Sequence, residues 1–211
     1  MKVLIAVPCM DQVPALFAQS LACMKSTTLE CQIAFQIGSL IYTSRNELAS
    51  YAMKNGSDYV LWLDSDMVFS ADLVDRMYKL MTEKDIKFLT GLYFRRVPPY
   101  TPVLFKTMKP SLKGWNFSHY ENVPDELFEV GACGFGCVMM ATEVLLDVRV
   151  KHGYLFDPMG AGGEDITFCW RARDCGYKIF CDPSLICGHV GNVVVTDTLY
   201  KALNNNGAEQ G

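Results

Sequence analysis

The chain has 211 residues, a formal net charge of -4 and a pI near 5.4, and half of its residues are hydrophobic. That length fits one α/β domain with a sizeable core and leaves little for a second. The acidic balance excludes a global basic field of the kind that recruits nucleic acid or anionic lipid, although a local basic cluster can still hold a phosphate.

Nine cysteines follow no secretory signal, because the apolar run in the opening MKVLIAVPCMD is cut short by Pro8 and Asp11. No apolar stretch approaches the roughly 18 residues of a membrane span. A cytoplasmic protein without a transmembrane segment is therefore expected, with its cysteines free and mostly buried. Cys169, Cys175, Cys181 and Cys187 recur at a wider spacing than zinc-binding pairs use.

Lys2–Val7 reads as a first core strand. Pro14–Lys25 follows as a helical pattern with Leu16, Phe17, Leu21 and Met24 on one side. Cys31–Ile37 alternates as a strand does, and Gly38 ends it. In TSRNELASYAMKNG, Ser44 and Glu47 form a capping box and Gly56 supplies the stop. Asp58–Leu63 is the next strand. Ser70–Glu83 is helical, with Leu73, Met77 and Leu80 in phase, and Lys87–Tyr93 is a further strand. This alternation predicts a mostly parallel sheet with helices on both faces. Ligands of such sheets gather beyond the carboxyl ends of the strands. No G-x-G-x-x-G follows the first strand and no P-loop motif occurs, so dinucleotide and P-loop readings lose their main support.

The second half differs in texture. RRVPPYTPVLFKTMKP carries four prolines and predicts a loop with short edge strands. EVGACGFGCVMM reads as a strand whose backbone approaches something closely. Thr142–Lys151 and the segment GGEDITFCWRARDCG are helical patterns, the latter ending at Gly176. Two short strands, Lys178–Cys181 and Ser184–Cys187, are expected next, and the tail NNNGAEQG (204–211) reads as disordered.

Three features can carry chemistry. VLWLDSDMVF places Asp64 and Asp66 at the end of an apolar strand, where hard carboxylate oxygens suit Mg²⁺ or Mn²⁺. The same residues also suit a turn leading into a helix. Glu164 and Asp165 open a helix after Gly162 and Gly163. There they either complement the helix dipole or supply a general base. His189, in CGHVG, is either a structural histidine or the completion of a metal shell begun by Asp66. Arg45, inside the helix after the second strand, either faces a diphosphate or is a solvated surface residue.

In this order the features resemble the nucleotide-sugar glycosyltransferases of the GT-A fold, especially the family-2 type. IAVPCMD, SRNELASYAMKNGSDYVLWLDSDM, VGACGFGCVMMATEVL and GGEDITFCWRARDCGYKI carry the likeness, and the second and fourth are the specific ones. The resemblance implies a single GT-A (Rossmann-like) domain over residues 1–203, with a mixed, mostly parallel sheet flanked by helices. Residues 1–95 would be its nucleotide-binding half and 96–203 its acceptor and catalytic half.

It further implies Val7, Pro8 and Cys9 beside the nucleoside, Asp64 and Ser65 near the ribose, and Asp64, Asp66 and His189 around a Mn²⁺ or Mg²⁺ ion. Asp165, next to Glu164, becomes the base that deprotonates an acceptor hydroxyl. The implied partners are a nucleotide-sugar donor and an acceptor that is a glycan, a protein or a small molecule, with no nucleic acid. Gln36 stands where an acidic residue often reads uracil, so a UDP-sugar is a preference. The Q-x-x-R-W helix of polymerising relatives is missing. The acceptor falls to the Pro-rich loop, to Trp115–Tyr120 or to the 131–137 segment. Two rivals remain, a nucleotidyltransferase and a non-catalytic nucleotide- or carbohydrate-binding module; for the first, VPCMDQVPA lacks the glycine-rich basic loop.

Overall fold

Alternation within the apolar strands decides the architecture. In the first strand, β1 (Lys2–Cys9), Val3, Ile5 and Val7 pack on one side of the sheet and Leu4 and Ala6 on the other, all fully buried. The computed structural model describes residues 1–111, 114–160, 162–191 and 194–205. After β1 come α1 (Ala15–Cys23), β2 (Glu30–Ile37), α2 (Ile41–Lys54), β3 (Tyr59–Leu63), β4 (Met67–Val68), α3 (Leu73–Glu83) and β5 (Phe88–Leu92). The second half adds β6 (Leu104–Ser111), β7 (Gly114–His119), β8 (Phe128–Val130), β9 (Ala132–Cys133), β10 (Cys137–Ala141), α4 (Thr142–His152) and α5 (Glu164–Asp174). It closes with β11 (Ile179–Ile186), β12 (Gly188–Val190), β13 (Val194–Val195) and α6 (Asp197–Asn205).

The central sheet has seven strands in the order β2-β1-β3-β10-β5-β11-β8. β2, β1, β3, β5 and β11 run parallel, while β10, inserted between β3 and β5, and β8, at the edge, run against them. One face is covered by α2, α4 and α5 through Leu48, Ala52, Val144, Val148, Phe168 and Ala172. The other is covered by α1 and α3 through Phe17, Leu73, Val74, Met77 and Met81, spaced as one helical face requires. The mixed, mostly parallel, helix-flanked single domain expected from the sequence is the fold observed.

Under the carboxyl end of the sheet lies an aromatic cluster. Phe156 stacks on Phe168 at 4.5 Å, Trp62 meets Phe156 edge-on at 5.0 Å, and Phe135 meets Phe156 edge-on at 5.3 Å. Each such side chain contributes about 1.5–3 kcal/mol by burial, which gives the site above it a stiff floor.

Several local expectations change. α2 begins at Ile41, with Leu40 in the N-cap position and no side-chain cap. Ser44 is buried one turn inside, its hydroxyl 2.7 Å from that of Ser39, so the capping box does not form. The apolar stripe packing on the sheet extends the helix past its local cap signal. The Pro-rich segment contributes an eight-residue strand, β6, paired antiparallel with β7. Pro110 pairs with Trp115, next to the last pair of the ladder, where its missing amide costs least. The two short strands expected around Pro183 are one strand, β11, whose register shifts between Asp182 and Ile186. α6 takes in residues 204 and 205 of the expected disordered tail, and residues 206–211 lie outside the described residues. All nine cysteines are free, six of them buried. Among the described residues no helix is long and apolar enough to cross a membrane.

What the glycine-rich strand approaches is Tyr93. The Gly136 amide donates to the Tyr93 hydroxyl at 3.0 Å, and a Cβ on Gly136 would lie 2.7 Å from the Tyr93 ring. Gly136→Ala is therefore expected to lose about 1–3 kcal/mol through overpacking. Thermal unfolding should show a midpoint several degrees lower, and an unchanged midpoint would refute the close approach.

Candidate active site

β3 ends at Leu63, and the chain turns at once. The Asp64 amide donates to the Gly136 carbonyl at 3.1 Å, and the Met67 amide donates back to the Asp64 carbonyl at 3.2 Å. The turn returns as β4, leaving Asp64 and Asp66 at the carboxyl edge of the parallel strands. β4 pairs antiparallel with β12, which sets His189 opposite Met67. The Val190 amide donates to the Asp66 carbonyl at 2.8 Å. Two very short strands thus carry a distant histidine to the D-x-D.

At the other wall, α5 starts at Glu164 with Gly163 in the N-cap position. Thr167 secures this start: its amide and hydroxyl donate to the Gly163 carbonyl at 3.0 and 2.9 Å, and its hydroxyl accepts from the Met159 amide at 3.2 Å. Pro8, Cys9 and Ser39 close the side nearest β1 and β2, around a cleft of about 370 Å³.

Arg45 joins the two walls. It stands on the sheet-facing stripe of α2 with Leu48, Ala49 and Ala52, and its side chain is only 3% exposed. Nη2 donates to Asp64 Oδ1 at 2.8 Å and Nε to Glu164 Oε1 at 3.2 Å. The guanidinium lies 5.2 Å from the Phe135 ring centroid and 5.9 Å from that of Trp62. Burial opposes its charge, but Asp64 and Glu164 together hold its pKa above the ordinary arginine value.

Asp66 has separate partners. Its Oδ2 accepts from Arg96 Nη1 at 2.6 Å and lies 3.4 Å from His189 Nε2. His189 Nδ1 is 2.8 Å from the Phe94 carbonyl, which fixes the ring and turns Nε2 toward the cleft. Burial lowers the affinity of this imidazole for a proton, yet Asp66 and the Phe94 carbonyl outweigh it and raise the pKa. Two ligands about 2.1 Å from one octahedral ion sit about 3 Å apart, so the Asp66–His189 spacing fits a shared divalent cation. Among the described residues no third histidine, cysteine or carboxylate joins them: Asp64, the third ligand expected from the sequence, is held by Arg45 instead, which leaves other positions for substrate oxygens and water. Four carboxylates in the cleft face two guanidiniums, and this imbalance also favours a cation.

Asp165 differs from its neighbours. Burial, followed by the adjacent Glu164, pushes its pKa up to about 6, against a bond of 2.7 Å from the Ile166 amide to Oδ1. A carboxylate tuned to that range is suited to accept a proton near neutral pH.

Pro8, Cys9, Arg45, Asp64, Ser65, Asp66, Glu164, Asp165 and His189, the candidates of the sequence, all border this cleft. Val7 does not; it is fully buried in the core beside Phe17. Arg96, Tyr93 and Phe135 line the cleft without having been singled out. Arg45 had a legible signal, because a charge in phase with Leu48, Ala49 and Ala52 requires buried carboxylate partners. Arg96 had none. A larger cavity of about 600 Å³, between Phe94, the 121–125 turn and α6, contains none of the clustered groups.

No protein-family model matches the chain, and no curated protein matches it in sequence. Solved structures do match. The chain superposes on A197 from STIV with a TM-score of 0.64 at 17% identity, covering 94% of this chain and 91% of that one. It also superposes on GalNAc-T7, solved with UDP, GalNAc and Mn²⁺, with a TM-score of 0.62 at 11% identity. That match covers 90% of this chain and 44% of GalNAc-T7, so the chain spans less than half of that protein. The fold is GT-A-like, a glycosyltransferase-like architecture. Likeness at these identities concerns the fold and does not single out family 2.

Removing the link between the walls strands two carboxylates. Arg45→Met is expected to cost about 3–5 kcal/mol at pH 7 in urea unfolding. The deficit should narrow toward pH 4, as the unpaired carboxylates take up protons. A loss under about 1 kcal/mol at pH 7 would mean that solvent already screens the pairs.

Proposed function

We propose that the chain is a metal-dependent glycosyltransferase that moves a sugar from a nucleoside-diphosphate sugar, preferably a UDP-sugar, to an acceptor hydroxyl with inversion. The observation that carries this reading is the meeting of Asp64, Asp66, Glu164, Asp165 and His189 in one cleft, at the carboxyl edge of a GT-A-like sheet. Residues 1–95 form the nucleotide-binding half, with the nucleoside against Pro8 and Cys9 and the ribose by Asp64 and Ser65. Residues 96–203 form the acceptor and catalytic half. Asp66 and His189 hold Mn²⁺ or Mg²⁺, while Asp64 stays on Arg45. When bound, the cation supplies positive charge that stabilises the departing diphosphate.

Asp165 takes the proton of the acceptor hydroxyl as that oxygen forms its bond to the anomeric carbon. The bond from that carbon to the diphosphate breaks, and its electron pair leaves on the phosphate oxygen. Glu164, held by Arg45, keeps a second negative charge next to Asp165, which raises its basicity. Arg45 is occupied by Asp64 and Glu164, so its part is to position them rather than to grip phosphate. The acceptor, a glycan, a protein or a small molecule, is offered from the side of the Pro-rich segment, Trp115–Tyr120 and residues 131–137.

Incubation with a panel of nucleotide sugars should release nucleoside diphosphate from one donor in the presence of Mn²⁺ or Mg²⁺, and EDTA should abolish the release. Release that persists unchanged in EDTA would refute the metal requirement, and the absence of any metal-linked nucleotide binding by calorimetry would refute the transferase reading.

Once the donor is known, Asp165→Asn is expected to lower kcat by about 10²–10⁴ while donor affinity holds. Activity needs the deprotonated carboxylate, so wild-type kcat/KM should rise with pH through about 6 and then level off. Wild-type turnover in the variant would remove Asp165 from the base role.

A further inference from the structure

Two arginines reach the cleft, and they are held differently. Arg45 is buried and bound by two carboxylates, whereas Arg96 has a side chain 55% exposed and, among the described residues, an ion pair to Asp66 alone. Arg96 lies just past β5, in a segment folded back by bonds from the Arg95 amide to the Thr101 carbonyl at 2.9 Å and from the Tyr100 amide to the Val97 carbonyl at 3.0 Å. Across from it stands Gly191, where a Cβ would come within 3.0 Å of Arg96 Cβ. A glycine there lets the two segments pack this closely at the base of the arginine.

The atom that Arg96 holds is Asp66 Oδ2, the same oxygen that faces His189 Nε2. A guanidinium in contact with this oxygen and a divalent cation bound between Asp66 and His189 would repel each other across a few ångströms. Leaving Oδ2 costs an exposed guanidinium little, because its solvation is largely intact. Arg45, by contrast, cannot leave without exposing two carboxylates to an apolar wall.

We propose that Arg96 is an exchangeable counter-ion for the metal site. Without ligand it neutralises Asp66; when a divalent cation takes Oδ2, its guanidinium transfers to the diphosphate of the nucleotide. The inference rests on the donor and metal assignments proposed above and adds a coupling between them. A planar fork of donors suits two phosphate oxygens as well as it suits a carboxylate. The exchange makes metal and nucleotide binding cooperative, and the coupling is reciprocal: each ligand relieves the other's competitor.

The test uses the whole chain with Mn²⁺ and UDP as probes, followed by calorimetry, in wild type and Arg96→Gln; matching thermal midpoints confirm that the variant folds. For Mn²⁺ alone, the variant should bind about two- to fivefold more tightly, since its competitor is gone. For UDP at saturating Mn²⁺, it should bind about tenfold more weakly, since a charge-assisted contact is lost. These opposite signs are not expected of a residue that merely supports the loop. Unchanged or weaker Mn²⁺ binding by the variant would overturn the exchange. Equal UDP binding by wild type in Mn²⁺ and in EDTA, lost in the variant, would also overturn it, making Arg96 a permanent substitute for the metal. A wild type that binds neither probe would remove the metal and donor assignments themselves, a result distinct from either of these.

Discussion

The buried Arg45 guanidinium is the constraint on which the site depends. Taking an arginine out of water costs several kcal/mol, and the cost is offset only where carboxylates meet it in good geometry. Asp64 and Glu164 do so from opposite walls, one at the end of β3 and the other at the start of α5. Three elements distant in sequence are thereby held to a common point. Nη1 has no hydrogen-bond partner among the described residues, and the guanidinium lies against the Phe135 and Trp62 rings.

That arrangement sorts the four carboxylates of the cleft. Asp64 and Glu164 share one fixed cation. Asp66 meets an exposed arginine and a histidine, so its partner can change. Asp165 is withdrawn from water and has a repulsive neighbour in Glu164, and its affinity for a proton rises. Residues of one chemical type thus acquire different properties within a few ångströms. The division follows from which cation each carboxylate reaches, because the interaction falls steeply with distance and exposure.

The antiparallel β10 makes the arrangement possible. Lying between β3 and β5, it brings the glycines at 134 and 136 against Tyr93 and places Phe135 under Arg45. A parallel strand entering from the other end would present its opposite terminus to the carboxyl edge, and the Gly136 carbonyl could not receive the Asp64 amide. The small pairing of β4 with β12 completes the edge by delivering His189. Short strands suffice there because the large sheet already fixes both of their starting points.

The sequence by itself determined the sheet-and-helix alternation, since strand and helix periodicities are local and each apolar face must find cover. It also determined the identity of most cleft residues: paired carboxylates after an apolar strand, an acidic helix start and a late histidine are chemically conspicuous wherever they occur. Tertiary structure decided how they are partnered. Ser44 resembles a cap, but the stripe of Arg45, Leu48, Ala49 and Ala52 packing on the sheet set the helix start instead. Arg45 falls in phase with a buried stripe that does not name its partners, and Arg96 is one of two adjacent arginines in a polar stretch. Which carboxylate each meets depends on contacts between segments far apart in the chain. No local pattern encodes those distances, because they are fixed only when both faces of the sheet close.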